Sequence, residues 1–206
     1  MNFTITYAIT ACNEHLELNK LLSFISKHKR ACDEIIVQVD SDNVTQQVIE
    51  VIKDYNLKVN EFNLNNHFAN FKNNLKKISK GDYIFQIDAD EMPSIEIVSN
   101  LHKIIESNID VDLFLVPRIN TVEGLTEQHV QKWNWRLNEN KWINWPDYQY
   151  RIFKNYFNIK WKNKVHEYIS GANKAIKLPE SPRYAIVHAK NIVKQEKQNS
   201  LYDKLV

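Results

Sequence analysis

Apolar residues recur along the first half of the chain in two alternating rhythms. Residues 3–10 read as a strand, and Leu16, Leu21, Leu22 and Ile25 then mark one face of a helix. Residues 34–40 (Glu-Ile-Ile-Val-Gln-Val-Asp) form a short, nearly unbroken apolar run of the kind buried on both faces of a parallel sheet. The pattern predicts a helix over 44–55 and a strand near 57–62. Phe68, Phe71, Leu75 and Ile78 return at helical spacing, with Lys80-Gly81 as a stop signal. A strand over 82–87 then emerges into Asp88, Met92-Pro93 opens a helix over 93–107, and a further strand covers 113–116.

Repeated β-α units of this length predict an α/β fold: a doubly wound, mostly parallel sheet with right-handed crossovers, flanked by helices. Strand ends of such a sheet bring three polar segments to one rim: Thr10-Ala11-Cys12-Asn13-Glu14, Asp40-Ser41-Asp42 and Asp88-Ala89-Asp90. One of these alone would be a turn; three together make a site. After residue 120 the chain becomes aromatic-rich and irregular, with Trp133, Trp135, Trp142, Trp145 and Trp161 close in sequence. We expect this part to add strands and a loop-built wall over the sheet's edge, and the charged stretch after Lys190 to form a terminal helix. No repeat or low-complexity linker interrupts the chain. Residues 1–206 therefore read as one domain, in two halves, 1–117 and 118–206.

The 206 residues are 43% hydrophobic and 25% charged, an ordinary balance for a soluble globular protein. A formal net charge of +2 gives no reason to expect nucleic acid as a partner. Cys12 and Cys32 are the only cysteines, which indicates neither a disulfide framework nor a zinc knuckle. Met1-Asn2-Phe3-Thr4 leads into a strand rather than a signal peptide, and no apolar run approaches spanning length, so a cytoplasmic location is expected. There are three glycines, Gly81, Gly124 and Gly171, and hence no G-x-G-x-x-G and no P-loop. A nucleotide would have to be held through metal and side chains.

Asp88-Ala89-Asp90 suits that requirement. Two carboxylates one residue apart, where a buried strand emerges, offer oxygen ligands to a hard divalent cation whose shell substrate phosphates complete. Glu91 adds a third acid. The carboxyl end of a central strand is also where open α/β sheets bind their ligands.

The ordered set of segments resembles the inverting, nucleotide-sugar-dependent glycosyltransferases of family 2, with the GT-A fold, and among them small bacterial enzymes of lipopolysaccharide-core and capsule synthesis. The matching segments are Ala8 to Glu14, Ile35 to Asp42, Phe68 to Asn73, Gly81 to Glu91, Tyr150 to Asn155 and Val165-His166-Glu167. Three departures stand out. Asn43 replaces a usual glycine, Lys72 replaces an arginine, and Val-His-Glu occupies the place of a Glu-Asp pair.

The resemblance implies a donor such as a uridine-diphosphate sugar, with guanosine and thymidine carriers also served by the scaffold, and Mn2+ or Mg2+ as cofactor. It places Thr10, Asn13, Glu14 and Asp40 around base and ribose, with Ala11, Asp42, Asn73 and Ala89 as further donor-binding residues, while Lys72 and Arg151 would reach the diphosphate and Asp88 would touch the ribose or share the metal. A metal on Asp90, shared with Asp88 and with His188 as a further ligand, would neutralise the departing diphosphate. Glu167 is the candidate general base, and His166 its rival, since strand alternation lets only one face the site. Plainer roles remain for several of these residues. Asn13 would cap a helix, Lys72 would be solvated, Arg151 would form a structural ion pair, and His188 would be a core histidine. Most tryptophans would be packing, with one or two near Trp142 and Trp145 lining an acceptor cleft.

The expected acceptor is a glycan or lipid-linked oligosaccharide, with at most peripheral contact at the inner membrane face, aided by Lys194, Lys197 and Lys204. Two other functions compete. A sugar-phosphate nucleotidyltransferase would need a glycine-rich loop after the first strand, which residues 10–15 lack. A non-catalytic nucleotide-sugar or carbohydrate-binding module would bind without turnover.

Overall fold

The computed structural model describes residues 3–205, with only the backbone given for 201–205; Met1, Asn2 and the side chain of Lys204 lie outside the described residues. The first half alternates as β1 (Ile5–Ala11), α1 (His15–His28), β2 (Glu34–Asp40), α2 (Gln46–Asp54), β3 (Val59–Phe62), α3 (Phe68–Ile78) and β4 (Tyr83–Asp88). Then come β5 (Glu91–Pro93), α4 (Ile95–Glu106), β6 (Leu113–Glu123), α5 (Glu127–Lys132) and β7 (Ile143–Lys154). The chain finishes with β8 (Lys160–Lys162), β9 (Tyr168–Ser170), β10 (Ala175–Lys177), a 3-10 turn (Pro182–Tyr184), β11 (Ile186–Asn191) and α6 (Ile192–Leu205).

Nine strands form one mixed sheet in the order β3-β2-β1-β4-β7-β6-β11-β5, with β10 also paired to β6. β1 runs parallel to both β2 and β4, in a register that sets Thr10 beside Gln38 on one side and Asp88 on the other. β7 enters antiparallel between β4 and β6. β8 and β9 make a separate hairpin.

The alternation of side chains across β1 explains the two apolar layers. Tyr7 and Ile9 face a cluster built with Leu18, Leu22 and Ile25 of α1, Ile52 of α2 and Leu101 of α4. Ala8 faces the opposite layer, where Leu75 of α3 meets Phe153 and Trp161. Helices therefore cover both faces, as the continuous apolar run in β2 requires. Among the described residues, no helix is long and apolar enough to cross a membrane.

Four expectations need correction. Pro93 does not open α4: Met92-Pro93 belongs to β5, which pairs with β11, and Ser94 caps the helix by accepting from the Ile97 N–H at 3.2 Å. Gly81 is not the stop of α3, which ends at Ile78 with Ser79 in its cap position. A Cβ on Gly81 would lie 2.5 Å from the Thr6 backbone nitrogen, so glycine is required by the passage of β1. The second half is less irregular than its composition suggests, because β6 and β7 are the two longest strands and form the sheet's centre. Finally, Val165-His166-Glu167 is not a strand. It lies in the bend between β8 and β9, with His166 at φ +52°, so the alternation argument does not apply to this pair.

Candidate active site

The rim forms because β1, β2 and β4 are parallel neighbours and end together. Thr10 Oγ1 donates to Asp88 Oδ1 at 2.7 Å, and the Ala89 N–H donates to the Thr10 carbonyl at 2.9 Å, fixing the Asp-Ala-Asp turn to the end of β1. Ala89 is itself buried. Glu14 holds the other end of that segment: its Oε2 accepts from the N–H groups of Cys12 and Asn13, each at 3.0 Å. Glu14, not Asn13, occupies the cap position of α1. Burial, reinforced by Glu14 and Asp40, pushes the Cys12 thiol up to about 11, which keeps it protonated and unreactive.

Asp40 is buried at the end of β2 and organises two loops. It accepts from Asn43 Nδ2 at 2.6 Å and from the Leu64 N–H at 3.0 Å. Asn43, in the place of a usual glycine, thus acts through its side chain. Exposed Asp42 accepts from Asn63 Nδ2 at 2.7 Å. Beyond these loops lies a cleft of about 290 Å³, lined by polar Asn63, Asn65, His67, Asn70 and Lys164 with Phe62 and Leu64. It contains none of the predicted residues but adjoins Asp40 and Asp42 through the loop after β3.

Lys72 is buried, not solvated. Its ammonium lies 2.5 Å from Glu167 Oε1, 4.0 Å from Asp88 Oδ1 and 4.7 Å from the centre of the Trp161 ring. Buried Gln38 positions this turn of α3 by donating to the Phe71 carbonyl at 2.7 Å. Asn73 is committed to β8, where its amide makes a reciprocal pair with the Trp161 backbone at 2.9 and 3.0 Å.

Beneath the acids runs a network of buried charge. Arg151, 2% exposed, reaches Asp88 Oδ2 at 3.1 Å and makes a shorter contact with Glu91 Oε1. Glu91 is therefore no third surface acid: it is 1% exposed and also accepts from Arg118 at 3.1 Å. Arg118 continues to Asp147 at 2.7 Å, Asp147 accepts from Asn120 Nδ2 at 2.8 Å, and Asn120 Oδ1 meets His188 Nδ1 at 3.1 Å. His188 Nε2 then lies 3.4 Å from Asp90 Oδ2. The chain of contacts begins at Asp88 and returns to Asp90. Burial alone would raise the Asp88 carboxyl, but the charges of Lys72 and Arg151 hold it far below the usual range. Burial is likewise outweighed at Asp90 by the hydrogen bond from His188 and the charges of His188 and Lys194. At Arg151, Glu91 and Asp88 overcome desolvation and raise the guanidinium. Sequence reasoning missed Arg118, Asn120 and Asp147, because nothing in their local sequence marks residues that meet only across strands, and it read Lys194 as a membrane contact rather than a neighbour of Asp90.

The donor set fits a divalent ion. Asn120 gives its N–H to the Asp147 carboxylate, so its carbonyl is the partner of His188 Nδ1–H and Nε2 faces Asp90. One imidazole nitrogen and one carboxylate oxygen meet there, a pair of the kind a hard divalent ion accepts. Among the described residues, no three His, Cys, Asp or Glu side chains close around a single point.

The tryptophans divide. Trp161 is core, whereas Trp133 and Trp135 (ring centres 4.7 Å apart) and Trp142 and Trp145 (5.0 Å) form two half-exposed pairs.

A mixed sheet whose parallel strands end in an Asp-X-Asp rim, with an antiparallel strand inserted beside the acids, defines a GT-A fold. The chain belongs to glycosyl transferase family 2, whose model matches residues 6–177. Solved structures of S. aureus TarS share the fold. The TarS 1–349 fragment in complex with UDP superposes with a TM-score of 0.62 at 15% identity, over 91% of this chain and 60% of that one. The same fragment with UDP-GlcNAc gives 0.61 at 16% identity, over 92% and 59%. Full TarS gives 0.60 at 15%, over 97% and 38%, so this chain spans well under two thirds of that protein. No curated protein sequence matches the chain.

Proposed function

We propose that this chain transfers a sugar from a nucleoside-diphosphate sugar to a hydroxyl of a glycan or glycolipid, inverting the anomeric carbon with the help of Mn2+ or Mg2+. The observation that carries the reading is the convergence of Asp88, Lys72 and Glu167, from β4, α3 and the β8–β9 loop, in a chain matched to family 2 over residues 6–177. The TarS fragment of the same fold binds UDP and UDP-GlcNAc, which supports uridine diphosphate as the carrier.

Asp90 and His188, with Asp88, would hold the ion, which when bound offsets the charge of the diphosphate. Thr10, Asp40 and Asp42 would orient ribose and base, since carboxylates suit ribose hydroxyls as acceptors. Arg151 supports Asp88 from below. Glu167 takes the proton of the acceptor hydroxyl; its Oε1 is anchored by Lys72, which fixes the carboxylate for that transfer. The acceptor oxygen attacks the anomeric carbon from the face opposite the diphosphate. The bond from that carbon to the phosphate oxygen breaks, and its electron pair leaves with the nucleoside diphosphate. The two half-exposed tryptophan pairs offer apolar faces to an acceptor sugar. We place the reaction in the cytoplasm, on a lipid-linked or core oligosaccharide met at the inner membrane face.

Calorimetric titration of UDP with and without Mn2+, on the wild type and Asp90→Ala, tests the site. Metal-dependent binding lost in the variant is expected. No binding of uridine, guanosine or thymidine diphosphate under either condition would overturn the reading. Binding without hydrolysis or transfer of any donor would favour the non-catalytic module instead.

A further inference from the structure

We propose that Lys194, on the first turn of α6, is a donor-binding residue that grips the diphosphate, and that α6 is the strap presenting it; this rests on the nucleotide-sugar reading of the rim. Lys194 Nζ lies 3.2 Å from Asp90 Oδ2 and 4.0 Å from Glu14 Oε1, so it bridges the ends of β4 and β1.

The other cations near the acids are already committed. Arg151 is buried against Glu91 and Asp88, Arg118 joins Glu91 to Asp147, and Lys72 is held by Glu167. Lys190, near the end of β11, donates to Gln198. Lys194 differs in being both in contact with the rim acids and 37% exposed at the side chain, open to a ligand arriving from solvent.

The helix that carries it is positioned for the purpose. Asn191 Oδ1 accepts from the Lys194 N–H at 2.8 Å and so fixes the first turn. Ile192 packs beside Gly124, which sits at φ +79°, and a Cβ there would lie 3.1 Å from the Ile192 side chain. Glu196 faces His129 of α5 at 3.6 Å. These contacts set the backbone of α6 beside the rim, while the flexible stem of Lys194 leaves its ammonium able to exchange partners.

Charge supplies the driving force. A diphosphate brings at least two negative charges to a rim already carrying Asp88, Asp90 and Glu14. A divalent ion on Asp90 also repels an ammonium at 3.2 Å from the same oxygen. Both effects move Lys194 from Asp90 onto a phosphate oxygen, where a lysine serves as a compact point charge. No bond to Lys194 forms or breaks. It holds the negative charge that the leaving diphosphate gains.

The test compares UDP, UMP and uridine binding in saturating Mn2+ for wild type, Lys194→Ala and Lys194→Arg. Removing one charge-assisted contact predicts that Lys194→Ala weakens UDP binding about tenfold or more, changes UMP by less than about threefold, and is largely rescued by arginine. UDP binding equal to or tighter than wild type in Lys194→Ala would overturn the proposal, leaving Lys194 as a counter-ion that the donor displaces. A wild type that binds none of the nucleoside diphosphates would overturn the underlying reading and this inference with it.

Discussion

The Lys72 ammonium sits 2.5 Å from Glu167 Oε1 and 4.0 Å from Asp88 Oδ1, so a single buried cation joins the β8–β9 loop to the Asp-Ala-Asp turn. Its two neighbours are 79 positions apart in sequence, and removing the cation sets two carboxylates against each other. Lys72→Met is therefore expected to weaken folding by about 1–3 kcal/mol, read as a lower urea midpoint, with Lys72→Arg retaining most of it. Glu167→Gln should behave differently. It keeps an acceptor for Lys72, so UDP affinity should stay within about threefold while transfer falls about 10²–10⁴-fold, the scale of a lost general base. UDP affinity and transfer falling together would assign Glu167 to donor binding.

Arg151 illustrates the cost of breaking a buried pair from one side. With Glu91 and Asp88 both on its guanidinium, Arg151→Met should destabilise the fold by about 3–5 kcal/mol, because Asp88 loses a buried cation and buried Glu91 is left with Arg118 as its one remaining arginine. Adding Glu91→Gln should recover a substantial part of that loss. A double-mutant cycle in urea measures this coupling, and additive losses would show that the two residues act independently.

How much of this was legible beforehand follows from the reach of each signal. Residues 34–40 and the Phe68, Phe71, Leu75, Ile78 spacing report local periodicity, which fixed the parallel half and the shared rim of Thr10, Asp40 and Asp88. The burial of Lys72 was not legible, since its partners come from the end of β4, from β8 and from a loop 95 residues on. The Glu91 side chain reads as an acid in an acidic turn until β6 and β7 bring two arginines beneath it. The alternation invoked for His166 and Glu167 failed because the β8–β9 hairpin places both in its bend. Strand pairing was strongly constrained by apolar runs, whereas the polar network depends on which strands become neighbours.

Acid should unfold this protein through its rim. Asp88 and Asp90 have folded-state pKa values held far below the unfolded value of about 3.9, so the deprotonated forms stabilise the folded state. That contribution is fully present above the unfolded value and is lost progressively as pH falls below about 4. Asp147 is shifted in the same direction and adds to the slope. Urea midpoints between pH 7 and pH 2 should drop steeply below about pH 4, and Asp88→Asn should flatten that drop. An unchanged acid limb in Asp88→Asn would place the responsible carboxylates elsewhere.

Asn120 offers the sharpest test of the proposed metal site, because it touches no reacting atom. Its carbonyl meets His188 Nδ1 at 3.1 Å while its N–H is anchored on Asp147 at 2.8 Å, which orients the imidazole with Nε2 toward Asp90. Removing such a support typically costs about 10–100-fold in metal affinity without removing a ligand. Asn120→Ala should therefore weaken Mn2+ binding by that factor, measured directly by electron paramagnetic resonance of free Mn2+. Thermal stability should change much less, since Asp147 keeps Arg118 as its partner. His188→Ala should give a loss at least as large, and combining the two changes should add little, because both act through the same imidazole. Equal Mn2+ affinity in Asn120→Ala and wild type would separate His188 from the metal and leave it as a partner of the Asp90 carboxylate.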